Sequence, residues 1–132
     1  MIRVLALALM ALLALPLTGC PACFDDGELR LLDGDTTLGP GQSAQFEYRW
    51  EGQVRSTPGD CGAVWTVDDV VGGDAERGTI DDCGRYTAPE TIAAPGSVVI
   101  MGSDHGPFCA DCCPHARQTI RLVPAAAVDA GS

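Results

Sequence analysis

Cysteine and histidine are the residues of this chain that could do chemistry, and they are concentrated late in the sequence. The 132 residues include seven cysteines and two histidines, and segment 105–115 holds three of the cysteines and both histidines. Its sequence is His105-Gly106-Pro107-Phe108-Cys109-Ala110-Asp111-Cys112-Cys113-Pro114-His115. Thiols and imidazoles so close together can form disulfides, bind zinc or take part in thiol exchange. Which of these occurs depends on whether the chain folds in a reducing or an oxidising compartment.

The start of the chain predicts export. Arg3 precedes an apolar run over residues 4–15, which as a helix rises only about 18 Å against a hydrocarbon core of roughly 30 Å. The run is too short to span a membrane and has the length of a signal-peptide core. The residues that close it, Leu17-Thr18-Gly19-Cys20, resemble the lipobox of bacterial lipoproteins. The resemblance implies that residues 1–19 are a signal peptide and that Cys20 is acylated, with palmitate among its chains.

Lipidation of Cys20 would place the mature chain in the cell envelope. A single acyl chain holds a protein only marginally, whereas the three chains of a lipoprotein cysteine anchor it stably. Pro21 stands where many lipoproteins of the inner membrane have a retaining aspartate, so we favour the outer membrane. The alternative is an ordinary secretory signal that leaves Cys20 unmodified.

The composition after cleavage limits size and partners. Removal of 19 of the 132 residues leaves 113, enough for one small domain. That part has seven arginines, no lysine and eighteen acidic residues, a net charge of −11 with neutral histidines. Such a surface repels nucleic acid and anionic headgroups, so attachment to a membrane must come from the lipid alone.

The remaining cysteines predict disulfides. Besides Cys20 there are six, an even number that in a short exported chain indicates up to three bridges. They are Cys23, Cys61, Cys83, Cys109, Cys112 and Cys113.

The positions of apolar residues predict an all-β fold. Residues 44–50 alternate strictly, with Ala44, Phe46, Tyr48 and Trp50 on one face. We expect about seven strands, at 28–33, 44–50, 63–68, 77–81, 85–88, 97–101 and 117–123, separated by Gly, Pro and Asp turns. Beyond the signal peptide no window of a dozen residues has helical spacing. Seven short strands of this kind favour a two-sheet sandwich.

A longer pattern resembles the bacterial immunoglobulin-like (Big) domains of envelope proteins. Their recurring phrase has the form W-x-V followed by G-x-I-x-x-x-G-x-Y-x-A-P. Here it is matched by Trp65, Val67, Gly78, Ile80, Gly84, Tyr86, Ala88 and Pro89. The resemblance covers roughly residues 38–123 and implies an immunoglobulin-like β-sandwich stapled by disulfides. We therefore divide the chain into a signal peptide (1–19), a lipidated tether (20–27), a sandwich (28–123) and a disordered tail (124–132).

The chain departs from that family in a loop of about thirteen residues, 104–116. Immunoglobulin-like topology would bring this loop, the other cysteine-bearing loops and the start of the first strand to one end of the sandwich. On that arrangement we expect Cys61 to pair with Cys83, Cys23 with the late loop, and Cys109 with Cys112 or Cys113.

Two other chemistries compete for this cluster. A zinc site could use His105, Cys109, Cys112, Cys113 and His115, although the second pair of ligands at matching spacing is missing. A thiol redox motif could use Cys109-Ala110-Asp111-Cys112, although such motifs work at a helix N-terminus and no helical sequence follows. Acid pairs such as Asp68-Asp69 and Asp81-Asp82 could bind calcium, but no complete calcium loop is present.

The sequence favours a non-enzymatic role. Serines and histidines form no recognisable nucleophile, base and orienting group, and no cofactor motif occurs. We expect a structural, adhesive or partner-binding domain with a protein or glycan ligand. The alternatives are a zinc-binding lipoprotein and an accessory subunit of a surface complex.

Overall fold

The computed structural model describes residues 27–104 and 115–125, and these form strands in two sheets without any helix of a full turn or more. The strands are β1 (Gly27–Asp33), β2 (Thr37–Leu38), β3 (Ser43–Trp50), β4 (Gln53–Ser56), β5 (Val64–Val67), β6 (Val70–Val71), β7 (Gly73–Asp74), β8 (Gly78–Ile80), β9 (Arg85–Thr87), β10 (Gly96–Ser103) and β11 (His115–Leu122). The all-β expectation is confirmed.

The strands pair in two separate orders. The first sheet runs β1-β3-β9-β8-β7, with β4 also paired to β3. The second sheet runs β2-β11-β10-β5-β6. The pairs are antiparallel except for β2, which lies parallel to the end of β11.

The expected count of about seven strands was wrong, because the described residues form eleven. The four that sequence reasoning missed, β2, β4, β6 and β7, are two to four residues long, too short to show alternation. Two of them arise from two-residue hairpin turns at Glu51-Gly52 and Asp68-Asp69, where every φ is positive. Backbone twist of this hand matches the twist of the strands and favours tight hairpins.

The core lies between the sheets and is built from the predicted alternation. Phe46 and Tyr48 on β3 are fully buried, and Trp65 on β5 is 3 % exposed. Two glycines allow the indole to lie close to the backbone: a Cβ on Gly84 would stand 2.6 Å from Cζ2 of Trp65, and one on Gly102 would stand 3.1 Å from Cζ3. Gly84 also has φ +83°, as the expected hairpin turn requires.

One loop boundary also differs from the expectation. Strand β11 begins at His115, which pairs with Ser103 at the end of β10. The connection between these strands is therefore 104–114 and not 104–116. At the other boundary, Gly27 belongs to β1 and not to the preceding tether.

Candidate functional site

The most informative region is the end of the sandwich where the described chain begins, which we call the tether end. Gly27 opens β1 there and pairs with Trp50, the last residue of β3. Gly27 also lies so close to the carbonyl of His115 that a Cβ would overlap it. In the second sheet, Ser103 at the end of β10 pairs with His115 at the start of β11. The start of β1, the end of β10 and the start of β11 therefore lie together at this end of the sandwich.

A disulfide crosses the tether end. Cys61 is bonded to Cys83 with 4.5 Å between their Cα atoms, which is the pairing that we expected. It closes a loop of sequence separation 22, for which the chain-entropy model gives about 3 kcal/mol of stabilisation. The bridge ties the segment after β4 to the turn between β8 and β9.

That turn is held independently of the disulfide. One carboxylate oxygen of Asp81 accepts hydrogen bonds from the amides of Cys83 and Arg85, both at 2.9 Å. The side-chain amide nitrogen Nε2 of Gln45 donates to the backbone carbonyl of Cys83 at 2.8 Å. The disulfide therefore restrains mainly the loop that carries Cys61.

Polar side chains are buried beneath the tether end. Burial raises the pKa of Tyr48 well above its ordinary value; the negative charge of Asp104 adds to the shift and Arg55 opposes it. Within the described residues, the hydroxyl of Tyr48, the hydroxyl of Ser56 and the indole N–H of Trp65 have no hydrogen-bond partner. A buried polar atom without a partner costs stability, so this region holds polar atoms that the core packing alone does not satisfy.

Several residues predicted to form sites lie outside the described part of the chain. They are Cys20, Cys23, His105, Cys109, Cys112 and Cys113. His115 is described, and it is half-buried at the start of β11. Over residues 27–104 and 115–125, no group of three or more His, Cys, Asp or Glu side chains is arranged to hold a metal. The same residues contain no helix with the length and hydropathy that a membrane crossing requires.

Acidic residues in the turns accept hydrogen bonds from the backbone, and two of them, Asp68 and Asp81, belong to the pairs considered for calcium. Asp68 accepts the amide of Val99 at 2.8 Å, across to β10. Asp74 accepts the amide of Arg77 at 2.8 Å and forms an ion pair with its side chain. The backbone hydrogen bond from Arg77 is the main cause that lowers the pKa of Asp74. These carboxylates therefore stabilise the turns between strands.

Two shallow clefts lie at the opposite end of the sandwich, where β3 begins and β9 ends. The larger has a volume of about 400 Å³ and is lined by residues of β7, β8, β9 and the segment after β9, including Thr79, Thr87 and Glu90. The smaller, about 310 Å³, includes Asp35 and Gln42. Sequence reasoning missed both, because they depend on how the turns of different strands meet.

Comparison with protein-family models, with curated proteins and with solved structures finds no match to this chain.

Proposed function

We propose that this chain is a lipid-anchored, immunoglobulin-like module of a bacterial cell envelope, with a non-enzymatic structural, adhesive or partner-binding role. The N-terminal lipobox pattern supports the anchor, and the strand order supports the fold. The partner that we favour is a protein or a glycan, since the net charge of −10 over the whole chain opposes binding to nucleic acid.

The strand order is the observation that carries the proposal. An immunoglobulin constant-type domain has strands A-B-E-D in one sheet and C-F-G in the other. The order β1-β3-β9-β8 corresponds to A-B-E-D, and β5-β10-β11 corresponds to C-F-G. In this correspondence Trp65 lies on strand C, the strand that carries the buried tryptophan of immunoglobulin domains.

The strand order also indicates which end of the sandwich would face the membrane. If Cys20 is acylated, six residues separate it from Gly27, and an extended chain of that length reaches at most about 25 Å. The tether end would then face the bilayer, and the end with the two clefts would face away from it. Loops that are held away from a membrane by a rigid sandwich are accessible to a macromolecular partner.

The proposal is tested by crosslinking in the envelope of cells that produce the full chain. We would compare the natural chain with Cys20→Ser, which removes the acylation site and leaves residues 27–125 unchanged. The natural chain should be in the membrane fraction and give a discrete crosslinked product, whereas the variant should be soluble and lose that product. Equal distribution of both between the fractions would contradict the anchor.

The same preparations distinguish the zinc-binding alternative. Without reductant, the proposal predicts that all six remaining cysteines are oxidised and that no zinc is bound in stoichiometric amount. Free thiols together with one equivalent of bound zinc would contradict the disulfide framework and indicate a metal site.

A further inference from the structure

The first sheet has a gap on the side of β3 that faces away from β1. On that side β9 pairs with residues 43–45 and β4 with residues 48–50, so none of the described strands pairs with residues 46 and 47 there. The turn between β8 and β9 closes part of the gap, because the amide of Phe46 donates to the carbonyl of Gly84 at 2.9 Å. The Cys61–Cys83 bridge joins the segment after β4 to this turn. A turn and a disulfide therefore cover the gap in place of a strand.

Polar side chains border this gap from the inside. Ser56, the last residue of β4, is fully buried and pairs with the fully buried Tyr48. Trp65 approaches from the second sheet, since a Cβ on Gly84 would stand 3.0 Å from Cε2, the ring atom bonded to the indole nitrogen. The two hydroxyls and the indole N–H have no hydrogen-bond partner within the described residues. Three buried polar groups therefore lie around one opening in the sheet.

The strand pairing beside this opening is irregular. Tyr48 pairs with Ser56 and Arg49 with Val54, so Arg55 is an extra residue that the ladder leaves unpaired. Such a bulge disrupts the ladder locally and bends the strand. Loose pairing and several polar groups are the conditions under which proteins bind internal water, which makes two to four hydrogen bonds to buried groups.

We propose that the gap beneath the Cys61–Cys83 bridge binds ordered water. The indole N–H of Trp65 donates to this water, and the water donates to Oγ of Ser56. The hydroxyl of Tyr48 is bonded to the same water or to a neighbouring one. The disulfide and the turn at Gly84 form the outer wall that separates the site from bulk solvent. The inference does not depend on lipidation, because it concerns only the folded domain.

A pair of tyrosine substitutions tests whether the site is wet. Tyr86→Phe is the matched control, because Tyr86 is also fully buried and its hydroxyl donates directly to the carbonyl of Arg77 at 2.7 Å. A hydroxyl bonded to water contributes nearly as much as one bonded to protein, so both variants should lower the equilibrium constant for folding by about fivefold. If the hydroxyl of Tyr48 is dry, Tyr48→Phe removes an unpaired polar atom and the constant should rise. An unchanged or increased constant in Tyr48→Phe, beside the expected decrease in Tyr86→Phe, overturns the proposal.

Oxygen-17 relaxation dispersion of the solvent counts the bound water in the full mature chain. It reports on water oxygens, so exchanging hydroxyl protons do not contribute. Ser56→Val replaces the hydroxyl by a methyl group and should remove about one long-lived water from the count, whereas Tyr86→Phe should leave the count unchanged. Equal counts in the natural chain and in Ser56→Val overturn the proposal. The tyrosine pair decides the question if Ser56→Val fails to fold.

Discussion

The close packing of Gly84 against Trp65 can be tested by a pair of glycine substitutions. Gly84→Ala places a Cβ 2.6 Å from Cζ2 of Trp65 and 2.8 Å from the carbonyl of Phe46, at a φ of +83°. Gly52→Ala is the matched control, because Gly52 has φ +74° and no atom within 4 Å of the added Cβ. Both variants have the backbone penalty, and only the first has the steric one.

The magnitudes separate the two effects. A side chain in the left-handed region costs about 1–2 kcal/mol, and overpacking of a core costs about 1–3 kcal/mol more. Gly52→Ala should therefore lower the free energy of unfolding by about 1–2 kcal/mol, and Gly84→Ala by about 2–5 kcal/mol.

Urea unfolding followed by tryptophan fluorescence, with the disulfide intact, measures both values. The dependence on urea concentration should be the same for both variants, so that the midpoints compare directly. Equal losses in the two variants would refute the close approach of the indole to the turn.

Three further predictions concern strain and pH. Asp69→Gly should stabilise the domain by about 1 kcal/mol, because Asp69 has φ +65°. Asp68→Gly should not stabilise it, since that change also removes the hydrogen bond to β10. The urea midpoints of the two variants test this difference. Burial raises the pKa of both tyrosines, Tyr48 and Tyr86, so stability should be full below pH 10 and fall above it by about 1.4 kcal/mol per pH unit for each phenol. Their absorbance change should then coincide with unfolding, and a separate titration before unfolding would contradict their burial. The lowered pKa of Asp74 contributes stability above its unfolded pKa of about 4 that is lost as the pH falls further. Asp74→Asn should therefore flatten the acid limb of the stability curve, and an unchanged limb would argue against this contribution.

The sequence predicts the long strands well because burial on one face leaves a periodic trace. Phe46 and Tyr48 alternate with polar residues along β3 and are buried, and Trp65 and Val67, two residues apart on β5, are buried as well. The hairpin turn at Gly84 was also predicted, since a glycine between two short apolar runs is a local signal. These features depend on neighbouring residues only.

The missed strands depend on contacts between distant residues. The turn at Asp68-Asp69 lacks the glycine that such turns usually contain, and Asp68 is held there by the amide of Val99, 31 residues away. No local pattern contains that information. Glu51-Gly52 is different, because an X-Gly pair between two runs is a recognisable hairpin signal that could have revealed β4.

Part of the candidate site could be predicted from the sequence and part could not, for the same reason. The Cys61–Cys83 pairing followed from the loop positions that a family topology implies, and the structure has it. The approach of Gly27 to His115 could not be predicted, because glycine at a strand start has no signal that distinguishes close packing from a simple turn.

The mass and amine reactivity of the mature N-terminus test the central claim most directly. The chain has no lysine, so the α-amino group is its only primary amine. A triacylated Cys20 would have none, and the tryptic peptide that ends at Arg30 should carry the mass of a diacylglyceryl group on sulfur and one acyl chain on nitrogen, and should fail to react with an amine reagent. A peptide that begins at another residue, or an unmodified Cys20 with a reactive amine, would contradict the lipid-anchored module.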